Sequence, residues 1–272
     1  MGKSLEFLYE TAPGRAVLKV LTNRHLSELA GRFCDSPLSK PLIKPFVKNN
    51  GIDLMGCEST DFKNFNDCFT RKLRAEERPF DENPDSLVSP CDGLLSIWKI
   101  KDDTVLPIKQ SHYSVSDLLG SRKEAEEFKD GLCLVFRLCV THYHRYAYLD
   151  DGTKGKNIFI PGKLHTVQPI ALRHVPVFTE NCREVTYLDT KNFGRVAQVE
   201  VGAMLVGKIA NHHEEHTFKR GEEKGMFLYG GSTIVVLLKK DAVRLRKDFK
   251  DAAVHGTEIP VRMGERIGSR KS

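Results

Sequence analysis

The sequence predicts an α+β fold, in which an N-terminal helical segment packs on a mostly antiparallel β core. Three observations lead to this prediction. Apolar residues recur at helical spacing up to about residue 75. Beyond residue 86, short apolar runs alternate with turn signals. Helices and strands do not alternate as they would in a parallel sheet. We therefore expect a helical segment over residues 1–75 and a β-rich domain over residues 76–272.

The N-terminal segment is basic as well as helical. Its first fifty residues hold eight Lys or Arg and four Asp or Glu side chains. A basic amphipathic helix can lie on an anionic membrane surface, and it can equally form a cap on the core. The two interpretations are compatible. Breaks in the helical spacing are expected at Pro13-Gly14, Ser36-Pro37 and Lys40-Pro41.

The β-rich part contains runs of branched and aromatic residues that are typical of strands. We predict strands at Leu94–Trp98, Leu132–Phe136, Val196–Val201 and Thr233–Leu238. Short helices are predicted at Ser114–Leu119 and Glu124–Phe128.

Composition narrows the class of protein. A net charge of +6 is too small to indicate nucleic-acid binding, but it is compatible with an anionic membrane. No run approaches the roughly 18 apolar residues of a membrane span, and the first residues do not read as a secretory signal. Seven cysteines without a C-x-x-C pair indicate reduced thiols in a cytosolic setting.

Three short motifs could carry chemistry, although each has an ordinary structural explanation. Ser89–Gly93 reads as a turn, because Asp and Gly favour turns. His142–Tyr146 follows an apolar strand, where a histidine is more often structural than catalytic. Gly230–Thr233 reads as a turn before a buried strand.

In this order and spacing, the three motifs resemble those of the phosphatidylserine decarboxylases, pyruvoyl-dependent enzymes that make their own cofactor. The family motif S-P-x-D-G matches Ser89–Gly93, Y-H-R matches Tyr143–Arg145, and G-S-T matches Gly231–Thr233. The resemblance covers most of the chain and includes residues 65–71, 169–172, 200–203, 224–227 and 263–270.

The chemistry of these residue types fits a self-cleaving chain. A serine hydroxyl is a weak nucleophile until a base removes its proton; a histidine can do this, and an aspartate can orient the histidine. The resemblance implies that Ser232 attacks the carbonyl of Gly231. The chain would split into a β chain (1–231) and an α chain (232–272), with Ser232 converted to a pyruvoyl group. We take Asp92, His144 and Ser232 as the catalytic residues.

The resemblance also implies the activity. The pyruvoyl ketone would form a Schiff base with the amine of phosphatidylserine, carbon dioxide would leave, and phosphatidylethanolamine would be released, with His144 as the general acid. The expected place is the cytoplasmic side of the cell membrane, as a peripheral protein on an anionic surface. No metal and no nucleic-acid partner are expected. A homo-oligomer is compatible with the sequence.

The sequence departs from the family at one position. Most members read Y-H-R-x-H, and the second histidine is usually assigned to self-cleavage; here that place holds Ala147. Three explanations stay open. Ala147 is an engineered change that traps the precursor, or it is natural and His144 or another histidine is the base. In the third, the chain is a relative that does not cleave itself. A pyruvoyl-dependent decarboxylase of a soluble amino acid is the alternative activity.

The run His212-His213-Glu214-Glu215-His216 contains residue types that often bind metal ions. It is not the zinc motif H-E-x-x-H, because only two residues separate its second and third histidines. We therefore predict a solvated loop between strands there.

Overall fold

A computed structural model of the chain describes residues 2–101, 105–108, 111–203, 208–229 and 232–271. The helices are α1 Gly2–Glu10, α2 Ala12–Leu21, α3 Arg24–Asp35, α4 Ile43–Asn50, α5 Phe65–Phe69, α6 Val115–Leu119, α7 Arg122–Glu126, α8 Pro169–His174, α9 Val177–Glu180 and α10 Lys247–His255. The strands are β1 Ser86–Val88, β2 Gly93–Lys99, β3 Val105–Ile108, β4 Ser111–Ser114, β5 Leu132–Leu138, β6 Arg145–Ala147, β7 Gly152–Lys154, β8 Ile158–Ile160, β9 Arg183–Thr190, β10 Gly194–Val201, β11 Ile209–Asn211, β12 His216–Phe218, β13 Glu223–Phe227, β14 Ser232–Leu238, β15 Val243–Leu245, β16 Ile259–Val261 and β17 Arg266–Arg270.

One large sheet organises the molecule. Eight of its nine strands follow the order β12-β7-β9-β10-β14-β5-β2-β16, and β8 pairs with β9. Two three-stranded sheets, β1-β17-β15 and β11-β13-β6, and the β3-β4 pair accompany it. Every ladder between these strands is antiparallel. With helices collected at the N-terminus, this confirms the predicted α+β class.

Strand β14 lies at the centre of the large sheet. All seven of its residues are buried, and it pairs with β10 on one side and β5 on the other. Its run of β-branched and leucine side chains suits a strand buried on both faces. Ser232 is its first residue and stands opposite Leu138 of β5. The last predicted strand is therefore confirmed, and it carries the candidate nucleophile into the core.

The N-terminal helices are fastened to the core by polar and apolar contacts. Thr11 caps α2 by accepting a hydrogen bond from the Gly14 N–H, so Pro13 falls in the first helical turn. The break between α1 and α2 thus precedes the proline instead of following it, because proline is well tolerated at a helix start. The Tyr9 hydroxyl lies 3.3 Å from the ring of His165 in the β-rich part.

The remaining predicted elements match the structure with small shifts. The strands predicted at 94–98, 132–136 and 196–201 lie within β2, β5 and β10, and the helix predicted at 114–119 is α6, with Ser114 as its cap. Helix α7 begins and ends two residues before its prediction. The expected break at Ser36-Pro37 and Lys40-Pro41 is the 3-10 helix Pro37–Leu42. Residues 212–215 form the predicted loop between β11 and β12.

Two further findings concern the whole chain. All seven cysteines are free thiols. Among the described residues, no helix combines the length and the apolar character needed to cross a membrane.

Candidate active site

The side chain of Ser232 is enclosed at the start of the central strand. It has no exposed surface, and its hydroxyl oxygen makes no hydrogen bond within the described residues. A buried hydroxyl without a partner costs roughly 1–3 kcal/mol, and the hydroxyls of Ser27, Ser86 and Thr233 are also buried without a partner among the described residues. Gly230 and Gly231 lie outside the described residues. Of the two residues that the predicted scissile bond joins, the structure therefore describes only Ser232.

His144 has a buried ring nitrogen, Nε2, that can accept a hydrogen bond. Its Nδ1 lies 2.9 Å from the backbone carbonyl oxygen of His142. Because a carbonyl can only accept, Nδ1 carries the proton and Nε2 keeps its lone pair. Nε2 is buried and has no partner among the described residues. Burial lowers the pKa of His144 to about 3, so the ring is neutral at physiological pH.

The chain that leads into Ser232 passes beside His144. The Phe227 N–H donates to the His144 carbonyl oxygen at 3.0 Å. The ring of Phe69 packs against His144 with centroids 4.0 Å apart and against Tyr229 at 5.3 Å. Tyr229 precedes Ser232 by three residues. Ser232 thus holds a buried hydroxyl and His144 a buried acceptor nitrogen, each without a partner among the described residues, and the segment 227–229 that precedes Ser232 contacts His144 and Phe69.

Asp92 is held by an arginine. Its two carboxylate oxygens accept hydrogen bonds of 2.7 and 2.6 Å from Arg78, and one of them also accepts from the Met263 N–H at 2.9 Å. No hydrogen bond joins Asp92 to His144 within the described residues. The orientation of His144 therefore comes from the His142 backbone. Asp92 acts electrostatically on His142 instead, opposing the lowering of its pKa by burial.

His142 is not equipped to act as the base. Its Nδ1 accepts a hydrogen bond from the Cys139 N–H at 2.9 Å. The neutral ring therefore carries its proton on Nε2, which is then a donor. Of the two histidines in the Y-H-R region, only His144 offers an unoccupied acceptor nitrogen.

Ala147 lies against the turn that contains Asp92. It is the last residue of β6, it is 2% exposed, and its N–H donates to the Pro90 carbonyl oxygen at 2.8 Å. A histidine at this position would start next to the Asp92 turn. The Ala147 side chain is closely packed in this chain. A histidine side chain at position 147 would need space that the surrounding residues occupy.

Comparisons with known proteins show the family of the chain. The family model described as phosphatidylserine decarboxylase matches residues 65–269. The chain belongs to the phosphatidylserine decarboxylase family. A protein of Clostridium acetobutylicum named phosphatidylserine decarboxylase proenzyme 2 is 43% identical over 265 residues, covering 97% of this chain and 91% of that protein. Phosphatidylserine decarboxylase proenzymes of Clostridium perfringens and Ruminiclostridium cellulolyticum are 41% and 40% identical, covering 98% of this chain and 93% and 91% of theirs.

Several buried residues, two of them next to His144, were not singled out from the sequence. Phe69 and Arg71 come from a stretch that resembles the family, and Arg71 helps to lower the pKa of His144 after the larger effect of burial. Lys224 and Glu200 form an ion pair of 2.8 Å with both side chains fully buried. All four lie in stretches 65–71, 200–203 and 224–227, which the resemblance already included. For Arg71, Lys224 and Glu200, the available signal was a charged residue inside a stretch that resembles the family.

The buried His144 makes stability depend on pH. Its pKa is about 3 in the folded chain, against an ordinary value of 6.5. Between these values the unfolded chain binds more protons, so the free energy of unfolding falls as pH decreases below 6.5, by up to about 1.4 kcal/mol per pH unit for this group. His144→Asn is expected to reduce that slope between pH 6.5 and 4, as measured by urea unfolding.

The matched control is His255→Asn, since His255 is exposed on α10. It should keep the original slope. Equal slopes for the unmodified chain and His144→Asn would show that His144 is not buried in its neutral form.

Proposed function

We propose that this chain is a phosphatidylserine decarboxylase proenzyme that cuts itself between Gly231 and Ser232, with His144 as the base. The observation that carries the proposal is that Ser232 Oγ and His144 Nε2, in two of the family motifs, are both buried and have no partner among the described residues. The family assignment supports decarboxylation of phosphatidylserine to phosphatidylethanolamine.

Self-cleavage begins with transfer of the Ser232 hydroxyl proton to His144 Nε2. Ser232 Oγ then forms a bond to the Gly231 carbonyl carbon, and the peptide C–N bond breaks, so that the peptide becomes an ester and residue 232 gains a free amine. Loss of the Ser232 α-proton breaks its Cβ–Oγ bond and frees the Gly231 carboxylate. One water then replaces the nitrogen of residue 232, which leaves as ammonia.

The surroundings of Ser232 fit the keto group that this sequence of steps would produce. Within the part of the chain that the structure describes, Ser232 Oγ has no hydrogen-bond partner that its removal would leave unsatisfied, and β14 pairs Ser232 with Leu138 of β5. When present, a pyruvoyl group supplies an electrophilic carbonyl for the substrate amine and a sink for the electrons left by carbon dioxide. In this proposal, His144 Nε2 would deliver a proton to the substrate carbon.

An exposed apolar surface favours a lipid substrate over a soluble amino acid. Of eleven large hydrophobic side chains that are exposed in the described residues, eight lie in the first 55 residues. They are Phe7, Val17, Val20, Leu29, Phe33, Leu38, Leu42 and Met55. Together with the basic surplus of the first fifty residues, they form a surface suited to peripheral contact with an anionic membrane.

A cavity of about 360 Å³ beside α4 adds to this argument. Its rim includes Lys40, Lys44 and Lys48, spaced four residues apart, and its walls include Ile43 and Phe62. Both wall residues belong to the apolar cluster that contains Phe69, the ring that packs on His144. Lysines suited to a phosphate thus border the apolar cluster whose Phe69 contacts His144.

Activity on two substrates tests the proposal. The full chain is incubated with vesicles containing phosphatidylserine or with free serine, and carbon dioxide and the amine product are measured. We expect release from vesicles only. Equal turnover of free serine would favour the soluble-substrate alternative. A processed sample that traps no substrate amine on the α chain with cyanoborohydride would indicate an inactive homologue.

The membrane surface can be tested separately with Leu29→Glu/Phe33→Glu. These residues are four apart on the exposed face of α3. Burial of such a side chain contributes roughly 1.5–3 kcal/mol, so we expect at least about a tenfold loss in vesicle binding by flotation. Val254→Glu, at another exposed apolar position on α10, should bind as the unmodified chain does. Equal losses in both would point to a general effect of charge.

A further inference from the structure

The fold brings together three metal-ligating side chains that the sequence separates. His213 lies in the loop after β11, His216 begins β12, and Glu222 directly precedes β13. One ligand atom from each lies within 4.8 Å of the other two. Sequence spacing alone did not indicate this group, because the carboxylate comes from beyond the H-H-E-E-H run. We propose that His213, His216 and Glu222 bind a divalent transition-metal ion, with Zn²⁺ as the fitting choice.

The ligand set suits zinc. Two imidazoles and one carboxylate are common ligands of Zn²⁺, with a fourth position left to water. His216 Nε2 and Glu222 Oε1 are already 2.5 Å apart, and the rings of His213 and His216 are stacked with centroids 4.0 Å apart. Tetrahedral ligand atoms are about 3.3 Å apart, so side-chain rotations alone can admit the ion. The ion would replace the proton shared by His216 and Glu222.

Surrounding residues hold the three ligands in place. The second oxygen of Glu222 accepts from the Lys219 N–H at 3.0 Å. The His213 carbonyl oxygen accepts from Lys154 Nζ at 2.5 Å and from the Asn157 side chain at 3.0 Å. Such outer contacts orient metal ligands and strengthen binding. His213 is exposed, so an ion can enter from solvent.

The position of the site gives it a structural role separate from that of Ser232. It joins β12, at the edge of the large sheet, to the start of β13 in the neighbouring sheet. Strand β13 is the strand from which the chain continues to Ser232. A bound ion would therefore hold β12 against the start of β13, the strand that precedes the predicted cleavage site.

Equilibrium dialysis of the full chain against Zn²⁺, followed by elemental analysis, tests the proposal. We expect one zinc per chain and a rise in Tm with zinc. His216→Ala and Glu222→Gln should each raise the zinc Kd by about tenfold or more. His212→Ala is the matched control; its ring lies next to the site but pairs with Glu223 at 2.6 Å, so this variant should keep the zinc.

Substitution of Co²⁺ for Zn²⁺ gives a second readout. An intense visible absorption band that disappears in Glu222→Gln would support a site of low coordination number that includes the carboxylate. Zinc uptake well below one per chain would overturn the proposal. So would equal losses in His212→Ala and His216→Ala, since they would indicate nonspecific binding to surface histidines. Circular dichroism of each variant distinguishes loss of the site from loss of the fold.

Discussion

Ser232→Ala is expected to leave the chain whole, whereas the unmodified chain should be cut into fragments covering 1–231 and 232–272. The variant lacks the only atom that can attack the Gly231 carbonyl in the proposed mechanism. His144→Ala should slow cleavage by about 10² to 10⁴, the usual contribution of a positioned general base. Intact mass spectrometry over time measures both effects.

His142→Ala decides between the two histidines. Its Nδ1 is occupied by the Cys139 N–H, so we expect cleavage to continue within about tenfold of the normal rate. Rapid cleavage in His144→Ala together with none in His142→Ala would contradict the assignment and make the Asp92-coupled histidine the base. His255→Ala, at an exposed position on α10, should cleave normally.

Lys224→Met is expected to lower the free energy of unfolding by about 3–5 kcal/mol, because it leaves the carboxylate of Glu200 buried without its cation. Both side chains are 0% exposed and lie 2.8 Å apart. Glu200 Oε1 also accepts from Gln198 at 2.9 Å, a contact too weak to replace an ammonium group. Urea denaturation measures the loss.

Two further variants make this test specific. Lys224→Met/Glu200→Gln should recover part of the stability, since no buried charge is then left unpaired. Lys240→Met removes the exposed pair with Asp130 and should change stability by less than about 1 kcal/mol. A loss in Lys224→Met as small as that in Lys240→Met would show that the Lys224 environment is open to water.

The sequence predicted the elements whose pattern is local. The apolar run of β14 indicates a buried strand even when its neighbouring strands are not known. Ser114 and Gly120 mark the two ends of α6. Resemblance to the family predicted Ser232, His144 and Asp92 as site residues, and their catalytic roles stay predictions. The pairing of Asp92 with Arg78 was not predictable, because 14 residues separate them and many other cations could have served.

Ala147 is a second example of what the sequence could not predict. Its departure from the family pattern was visible, but its consequence depends on contacts made by backbone atoms. The His142 carbonyl sets the proton on His144 Nδ1, and no side-chain pattern reveals that contact. Likewise, Glu222 joins His213 and His216 only because β12 and β13 are folded towards each other.

The central position of β14 has a consequence for the processed protein. After the proposed cut, both neighbours of β14 would belong to the first fragment, while β16 and β17 of the second fragment would pair with β2 and β1 as they do in the intact chain. The fragments therefore cannot part without dismantling two sheets. Once separated by denaturant, they would have to find each other as two molecules, so recovery of the mature form should depend on concentration, whereas the uncut chain refolds as one.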